Sequence, residues 1–494
     1  MLLVGIDLGT SSIKVSVVAA ATQQLVASSS YPETETEIIS PLPGWAEQNP
    51  DLWWEHVKQA ILKCHSLGLY DPADIVAIGI AYQMHGLVLV DKDQQVLRNA
   101  IIWCDSRAVE IGNKAFHAIG EEKCLSHLLN SPGNFTASKL AWVKENEPAV
   151  YDKINKMMLP GDFIAMKMTG ECTTTVSALS EGIFWDFKKN TISKDVLDYF
   201  EMDESLIPAI SPLFAPHGYL KETVAATLSL KKGIPVSYKA GDQPNNALAL
   251  NVMNPGEVAA TAGTSGVIYG VSDQLNYDLQ SRINSFAHVN HEVTTQRIGI
   301  LLCINGVGIF NRWIKNITGG TTYAGLNAAA ANVPAGAQGL LAFPFGNGAE
   351  RMLNNQVIGA QFLNLDFNLH TAAHLVRAVQ EGIAFSFRYG LDIMRENCMN
   401  PAVIRAGKTN LFLSDVFTSS FANTNKVAVE FYAGDGSFGA AIGAGIGAGI
   451  YPDTAAAAKY RKPVGTVVPE KESRYEDLYQ QWKMKLENQL NTTT

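Results

Sequence analysis

From Leu2 the chain carries an apolar run to Leu8, breaks at Gly9-Thr10-Ser11-Ser12, and resumes as IKVSVVAAA over residues 13–21. Two such runs joined by a short polar turn predict a β-hairpin at the start of the chain. Further apolar runs, IVAIGIAY (75–82) and LVLVD (87–91), read as strands. Elsewhere the period changes. DLWWEHVKQAILKC (51–64) and SKLAWVKENEP (138–148) repeat apolar positions at helical spacing, the second ending at Pro148. Strands alternating with helices on this scale predict an α/β fold.

The pattern then restarts. EVAATAGTSGVIYGV (257–271) is again an apolar run, a Gly-Thr-Ser turn and a second apolar run, with Gly263, Thr264 and Ser265 echoing Gly9, Thr10 and Ser11. The same turn in the same hairpin context near the start of each half predicts two similarly built domains, residues 1–241 and 242–494. No low-complexity linker separates them, so they are expected to pack closely with a cleft between. Residues 475–490 read as a terminal amphipathic helix. The Gly-Ala run GAAIGAGIGAGI (439–450) falls short of the ~20 apolar residues that a spanning helix needs.

Composition narrows the class of partner. A chain of 494 residues with 38 Lys+Arg against 47 Asp+Glu carries a net charge of −9, which disfavours nucleic acid and anionic membranes and leaves small molecules as the natural ligands. The 6 cysteines lie far apart without metal-ligand spacing and read as free thiols in a reducing cytoplasm. The N-terminus has no basic stretch, and Asp7 interrupts its apolar run, which argues against a cleaved signal.

Gly-Thr-Ser turns offer backbone N–H groups and hydroxyls to an anion. Either turn alone is explained as a tight hairpin; two matching turns facing across a cleft suit a polyphosphate. Asp7, a carboxylate inside a buried strand, needs a purpose, either as a strand-end group bonded by amides or as a ligand to phosphate-associated Mg²⁺. AVIRAGKT (402–409) is not a Walker A loop, because Ala402 stands where that motif requires Gly. GDGSFG (434–439) fits G-x-G-x-x-G, yet too little chain follows for a dinucleotide domain; close helix packing or an adenosine against the helix start explains it better. In AGDQPNNALAL (240–250) a strand passes into a helix, and Asp242 reads as the N-cap, as a general base at the cleft floor, or both. Gln243 suits a polyol, and Met84 and His85 stand in a loop between strands, where a lone His is more often structural.

The stretches GIDLGTSSIKV, PGWAEQNPDLWW, QMHGLVLVD, IIWCDSRA, FTASKLAWVKENEP, MTGE, AGDQPNNA and AGTSGVIY together resemble carbohydrate kinases of the FGGY type, within the actin and hexokinase superfamily. QMHG, PGWAEQ and KLAWVKENEP resemble the xylulokinase branch. The resemblance implies two RNase H-like domains with ATP and a sugar in the cleft between them, and phosphorylation of D-xylulose. Carried over by position, Asp242 would be the general base; Met84, His85 and Gln243 would contact the sugar. Asp7 would hold Mg²⁺, while Thr10, Ser11 and Lys14 with Gly263, Thr264 and Ser265 would hold phosphates. Adenosine would lie near Gly407, Asn410, Gly434 and Gly436. A homodimer is compatible with it. The chain departs from the family's usual G-G-G-A at Ala406-Gly407-Lys408-Thr409, from W-N-D-G-R at Trp103-Cys104-Asp105-Ser106-Arg107, and from Asn after the base at Gln243. A kinase for ribulose, gluconate or glycerol, or an actin-like ATP-binding module without a sugar substrate, are the competing expectations.

Overall fold

The computed structural model describes residues 1–320 and 322–493. The predicted hairpin is present: β1 (Leu2–Leu8) and β2 (Ile13–Ala19) pair antiparallel, and β3 (Leu25–Tyr31) extends them. Helix α1 (Pro50–Ser66) starts where the Asn49 side chain accepts from the Asp51 N–H, and it buries Trp53, Val57, Ile61 and Cys64 along one face. The chain returns as β4 (Ile75–Tyr82), parallel to β1. Helices α2 (Thr136–Asn146), α3 (Pro160–Thr169) and α4 (Val176–Glu181) follow. Then β5 (Val236–Gly241) pairs parallel with β4 and runs straight into α5 (Asp242–Ala249). The sheet order is β5-β4-β1-β2-β3. The 87–91 run forms a short strand at Val88–Val90 outside this sheet.

The second half repeats the plan. β6 (Glu257–Ala262) and β7 (Gly266–Ser272) form the second hairpin, joined by β8 (Asn284–Ala287) and β9 (Ile298–Ile304). After α6 (Gly308–Ile317) and α7 (Ala372–Glu396) come β10 (Val403–Gly407), α8 (Asp415–Asn425), β11 (Val429–Tyr432), α9 (Gly436–Gly447), β12 (Gly465–Val467) and α10 (Tyr475–Thr493). Within the order β8-β9-β7-β6-β10-β11-β12, the strands β11-β10-β6-β7-β9 copy β5-β4-β1-β2-β3 with the same parallel and antiparallel partners. This is the duplicated RNase H-like α/β architecture expected from the repeated turn.

The lobes are joined by intimate packing of the Gly-Ala helix. α9 belongs to the second half but lies on β1, β4 and β5 of the first sheet. Gly5 and Gly79 are register partners on β1 and β4. A Cβ on Gly5 would stand 1.8 Å from the Ser437 carbonyl oxygen, and one on Gly79 2.1 Å from that of Ala440. Gly443 makes room for the Tyr238 ring, and Ala440, Ala441 and Ala444 are buried in the same seam. Close helix packing, one of the two explanations given for GDGSFG at the start of this helix, is what the helix shows. Among the described residues no helix is long and apolar enough to cross a membrane, and all six cysteines are free thiols.

Candidate functional site

Register brings Leu8, Tyr82 and Gly241 level across β1, β4 and β5. Three parallel strands thus deliver the turn at residues 9–12, the loop at Gln83–His85, and Asp242 to one edge of the sheet, where open α/β sheets bind ligands. Asp242 is the first residue of α5; the N-cap is Gly241, and no side chain caps the helix. The N-cap reading is thereby corrected. Because β5 continues without a turn to Gly241, Asp242 already has a helical position, in the first turn of α5. Burial, and then the charge of Asp7, push the Asp242 pKa up to about 7, against hydrogen bonds from Gln243. Asp7 is likewise raised to about 6 by burial and by Asp435, with Lys14 opposing. By accessible surface both carboxylates are only half-buried, so they border open cleft. The start of α9 presses on Asp7: a Cβ on Gly436 would stand 2.4 Å from Asp7 Oδ2.

The loop after β4 forms a second wall. Met84 is buried with its Sδ against Gly241. His85 adopts φ 61°, uncommon for a residue with a Cβ and typical of functional loops. Its Nδ1 lies 3.0 Å from the Glu181 carbonyl oxygen. A carbonyl only accepts, so Nδ1 carries the proton and Nε2 is left as an acceptor. Burial pushes the His85 pKa down to about 3, which keeps the ring neutral. Phe135 and Phe286 pack on it at 4.8 and 5.4 Å. Beneath the loop Lys139 donates to the carbonyls of His85 (2.9 Å) and Ile102 (3.0 Å), and burial lowers its pKa to about 7.

The first turn is braced by side chains. Thr10 Oγ1 donates to Gln83 Oε1 at 3.1 Å and accepts from Trp103 Nε1 at 3.0 Å, while Gln48 Nε2 donates to the Thr10 carbonyl at 2.8 Å. Ser11 is exposed at the tip. Lys14 reaches Asp435 of the other lobe at 4.0 Å, and Ser16 and Ser437 hydroxyls meet at 2.7 Å. The PGWAEQ and CDSRA stretches interlock nearby. Arg107 pairs with Asp105 and Glu47, each at 2.7 Å, and its guanidinium lies 3.8 Å from the Trp45 ring centroid.

The second lobe presents a cavity of about 320 Å³ at the corresponding strand ends, lined by Gly263, Thr264, Asn311, Tyr323, Asn410 and Ser414 among others. The N–H groups of Gly308 and Ile309 bond the carbonyls of Gly263 (2.9 Å) and Thr264 (3.2 Å). Occupying those carbonyls directs the N–H groups of the same peptide units the opposite way. The first turn of α6 borders the same cavity with its N–H groups already bonded, so what it offers an anion there is the helix dipole. Ser265 is exposed at the tip of the turn, and Gly407 ends β10. Gly434 does not join this cavity; it lines a separate inter-lobe cleft of about 700 Å³ with Ser16, Thr409 and Arg461. Gly436 belongs with Asp7. Lys408 lies 4.9 Å over the Phe431 ring, in keeping with the rejection of a P-loop role. Helix α5 ties the parts together: Asn246 donates to Thr261 Oγ1 beside the second turn at 3.3 Å, and Asn245 to the Gly436 carbonyl at 2.8 Å.

Among the described residues no three His, Cys, Asp or Glu side chains could hold a metal by themselves. Asp7, an acceptor-only carboxylate whose charge is felt at Asp242, nevertheless fits a hard divalent cation that would complete its shell with phosphate oxygens and water.

Lys139 and Glu181 were not singled out from the sequence. Lys139 had a signal: it falls at helical spacing between Phe135 and Val143, on the face that α2 buries. Glu181 had none, because its contribution to His85 is a backbone carbonyl.

The description "FGGY family of carbohydrate kinases, N-terminal domain" matches residues 2–249. The xylulose kinase of Escherichia coli (strain K12) is 30% identical over 408 residues, covering 81% of this chain and 80% of that protein. Two crystal structures superpose over almost the whole chain at 25% identity. One is a "xyloylose kinase" from Brucella ovis, with TM-score 0.89 and 100% of each chain covered. The other is a xylulose kinase from Rhodospirillum rubrum, with TM-score 0.87 and 99% of each covered.

Proposed function

The chain belongs to the FGGY family of carbohydrate kinases, and from that premise we propose that it transfers the γ-phosphoryl group of ATP to D-xylulose, giving D-xylulose 5-phosphate, with Asp242 as general base. The observation that carries this reading is the placement of Asp242: a half-buried carboxylate, pKa about 7, at the shared strand edge with Asp7, Met84 and His85. A base poised near neutral pH accepts a hydroxyl proton readily and is still ionised often enough to do so. The relatives named xylulose kinase support the choice of ketopentose.

In this reading the sugar lies against Met84, His85 and Gln243. The neutral His85 accepts a sugar O–H at Nε2, and Gln243 can both donate and accept. Asp242 takes the proton of the attacking hydroxyl as the oxygen moves in line on the γ-phosphorus. Gly263, Thr264 and Ser265 receive the phosphates from the second lobe, with the α6 dipole behind them; Thr10, Ser11 and Lys14 do so from the first. Asn410 lies at the nucleoside side of the cavity. Asp7 would hold Mg²⁺, which when bound supplies neutralisation of developing phosphoryl charge.

An ADP-release assay over D-xylulose, ribulose, gluconate and glycerol tests the substrate assignment. The highest kcat/KM is expected with D-xylulose; a higher value with any other acceptor overturns that assignment while leaving the kinase class intact.

A further inference from the structure

Arg351 opens the short 3-10 helix Arg351–Leu353 in the second lobe, and its guanidinium donates to Asn284 Oδ1. Asn284 and Phe286 are two residues apart on β8, so their side chains leave the same face of the strand, and the Phe286 ring lies 5.4 Å from that of His85. The guanidinium therefore reaches the His85 wall of the cleft from the opposite lobe. Its field is felt there: it opposes protonation of His85 and favours ionisation of Cys303, a group that also senses Asp242.

Among the described residues Arg351 has no ion-pair partner and no acceptor besides Asn284. Its neighbour Glu350 is turned elsewhere, with its two oxygens accepting the Asn305 N–H at 3.0 and 3.2 Å. A guanidinium has five N–H donors and no acceptor, and a desolvated cation without a counter-charge is costly. An oxygen-rich ligand in the cleft relieves both demands. We propose that Arg351 is a sugar ligand supplied by the second lobe, donating to acceptor oxygens on the part of the sugar turned away from Asp242. The proposal rests on the sugar-kinase reading of the cleft. It gives the Glu350–Arg351 dipeptide a joint task. Glu350 holds the segment that leads into α6 at the nucleotide cavity, and Arg351 holds the sugar.

The test compares wild type, Arg351→Gln and Arg351→Lys in the intact chain, with KM measured separately for D-xylulose and ATP, and with sugar-independent ATP hydrolysis as a further readout. Loss of a charge-assisted hydrogen bond predicts a sugar KM raised about 10-fold or more in Arg351→Gln, with ATP KM and sugar-independent hydrolysis within about 2-fold of wild type. Arg351→Lys, which keeps the charge and fold but loses the planar fork, is expected between the two. An unchanged sugar KM in either variant overturns the proposal, as does a parallel rise in both KM values. If Arg351→Gln does not fold, the Lys variant alone decides. A wild type inactive on every sugar of the panel overturns the kinase reading itself, and this proposal with it.

Discussion

Asp242→Asn should make the protein more heat-stable at alkaline pH while disabling it. A carboxylate whose pKa is raised in the folded state, from 3.8 to about 7, destabilises the fold once it must ionise. The sign follows from proton binding. Between those two values the folded chain retains a proton that the unfolded chain has released, so stability falls as pH rises and levels off above about 7. At 1.36 kcal/mol per pH unit the full penalty has a ceiling of about 4 kcal/mol, of which about 2 kcal/mol accrues between about pH 5.5 and 8.5. Asp242 is only half-buried, and water in the cleft screens it, so about 1 to 2 kcal/mol is expected over that window. Asparagine has the same shape and never pays this penalty. Thermal melting of both proteins across that range should show the variant's advantage widening by roughly 1 to 4 °C. A difference in midpoint that does not change with pH, or one that narrows, would refute the argument that a strained carboxylate sits at the strand edge.

Gly436→Ala should lower kcat at least about 10-fold, because its Cβ would stand 2.4 Å from Asp7 Oδ2 and must displace that carboxylate; steady-state kinetics at saturating substrates would read this. Asn410→Ala should raise ATP KM several-fold and leave sugar KM alone, as expected of a residue lining the second-lobe cavity; equal effects on both substrates would count against that placement. Lys139→Met leaves the carbonyls of His85 and Ile102 without their donor. It should cost about 1 to 3 kcal/mol in stability and raise sugar KM, measured by melting and by kinetics.

The duplicated architecture was legible because each lobe opens on a buried strand, a Gly-Thr-Ser turn and a second strand, a pattern that propensity and register both enforce. The edge that gathers Asp7, His85 and Asp242 was legible for the same reason: all three follow or end apolar runs. What the sequence concealed is non-local. GDGSFG suggested a closely packed helix start, but nothing in it or in the Gly-Ala run after it says that α9 lies on the sheet of the other lobe, since Gly5 and Gly79 become a trough only when β1 and β4 pair. Asp242 resembled an N-cap because a helix follows it; only the unbroken course of β5 puts Gly241 in that position. Gly434 and Gly436, close in sequence, part company in space, one facing an inter-lobe cleft and the other Asp7. The Asp105–Arg107–Glu47 cluster joins segments some 60 residues apart, beyond the reach of any periodicity.

The central claim is that Asp242 removes the proton of the sugar hydroxyl as phosphorus is attacked. Single-turnover transfer of labelled γ-phosphate from ATP to D-xylulose, with sugar and nucleotide affinities measured by calorimetry on the same samples, addresses it directly. Asp242→Asn should bind both substrates within a few-fold of wild type and transfer phosphate about 10² to 10⁴ times more slowly. Transfer at the wild-type rate by that variant would contradict the account.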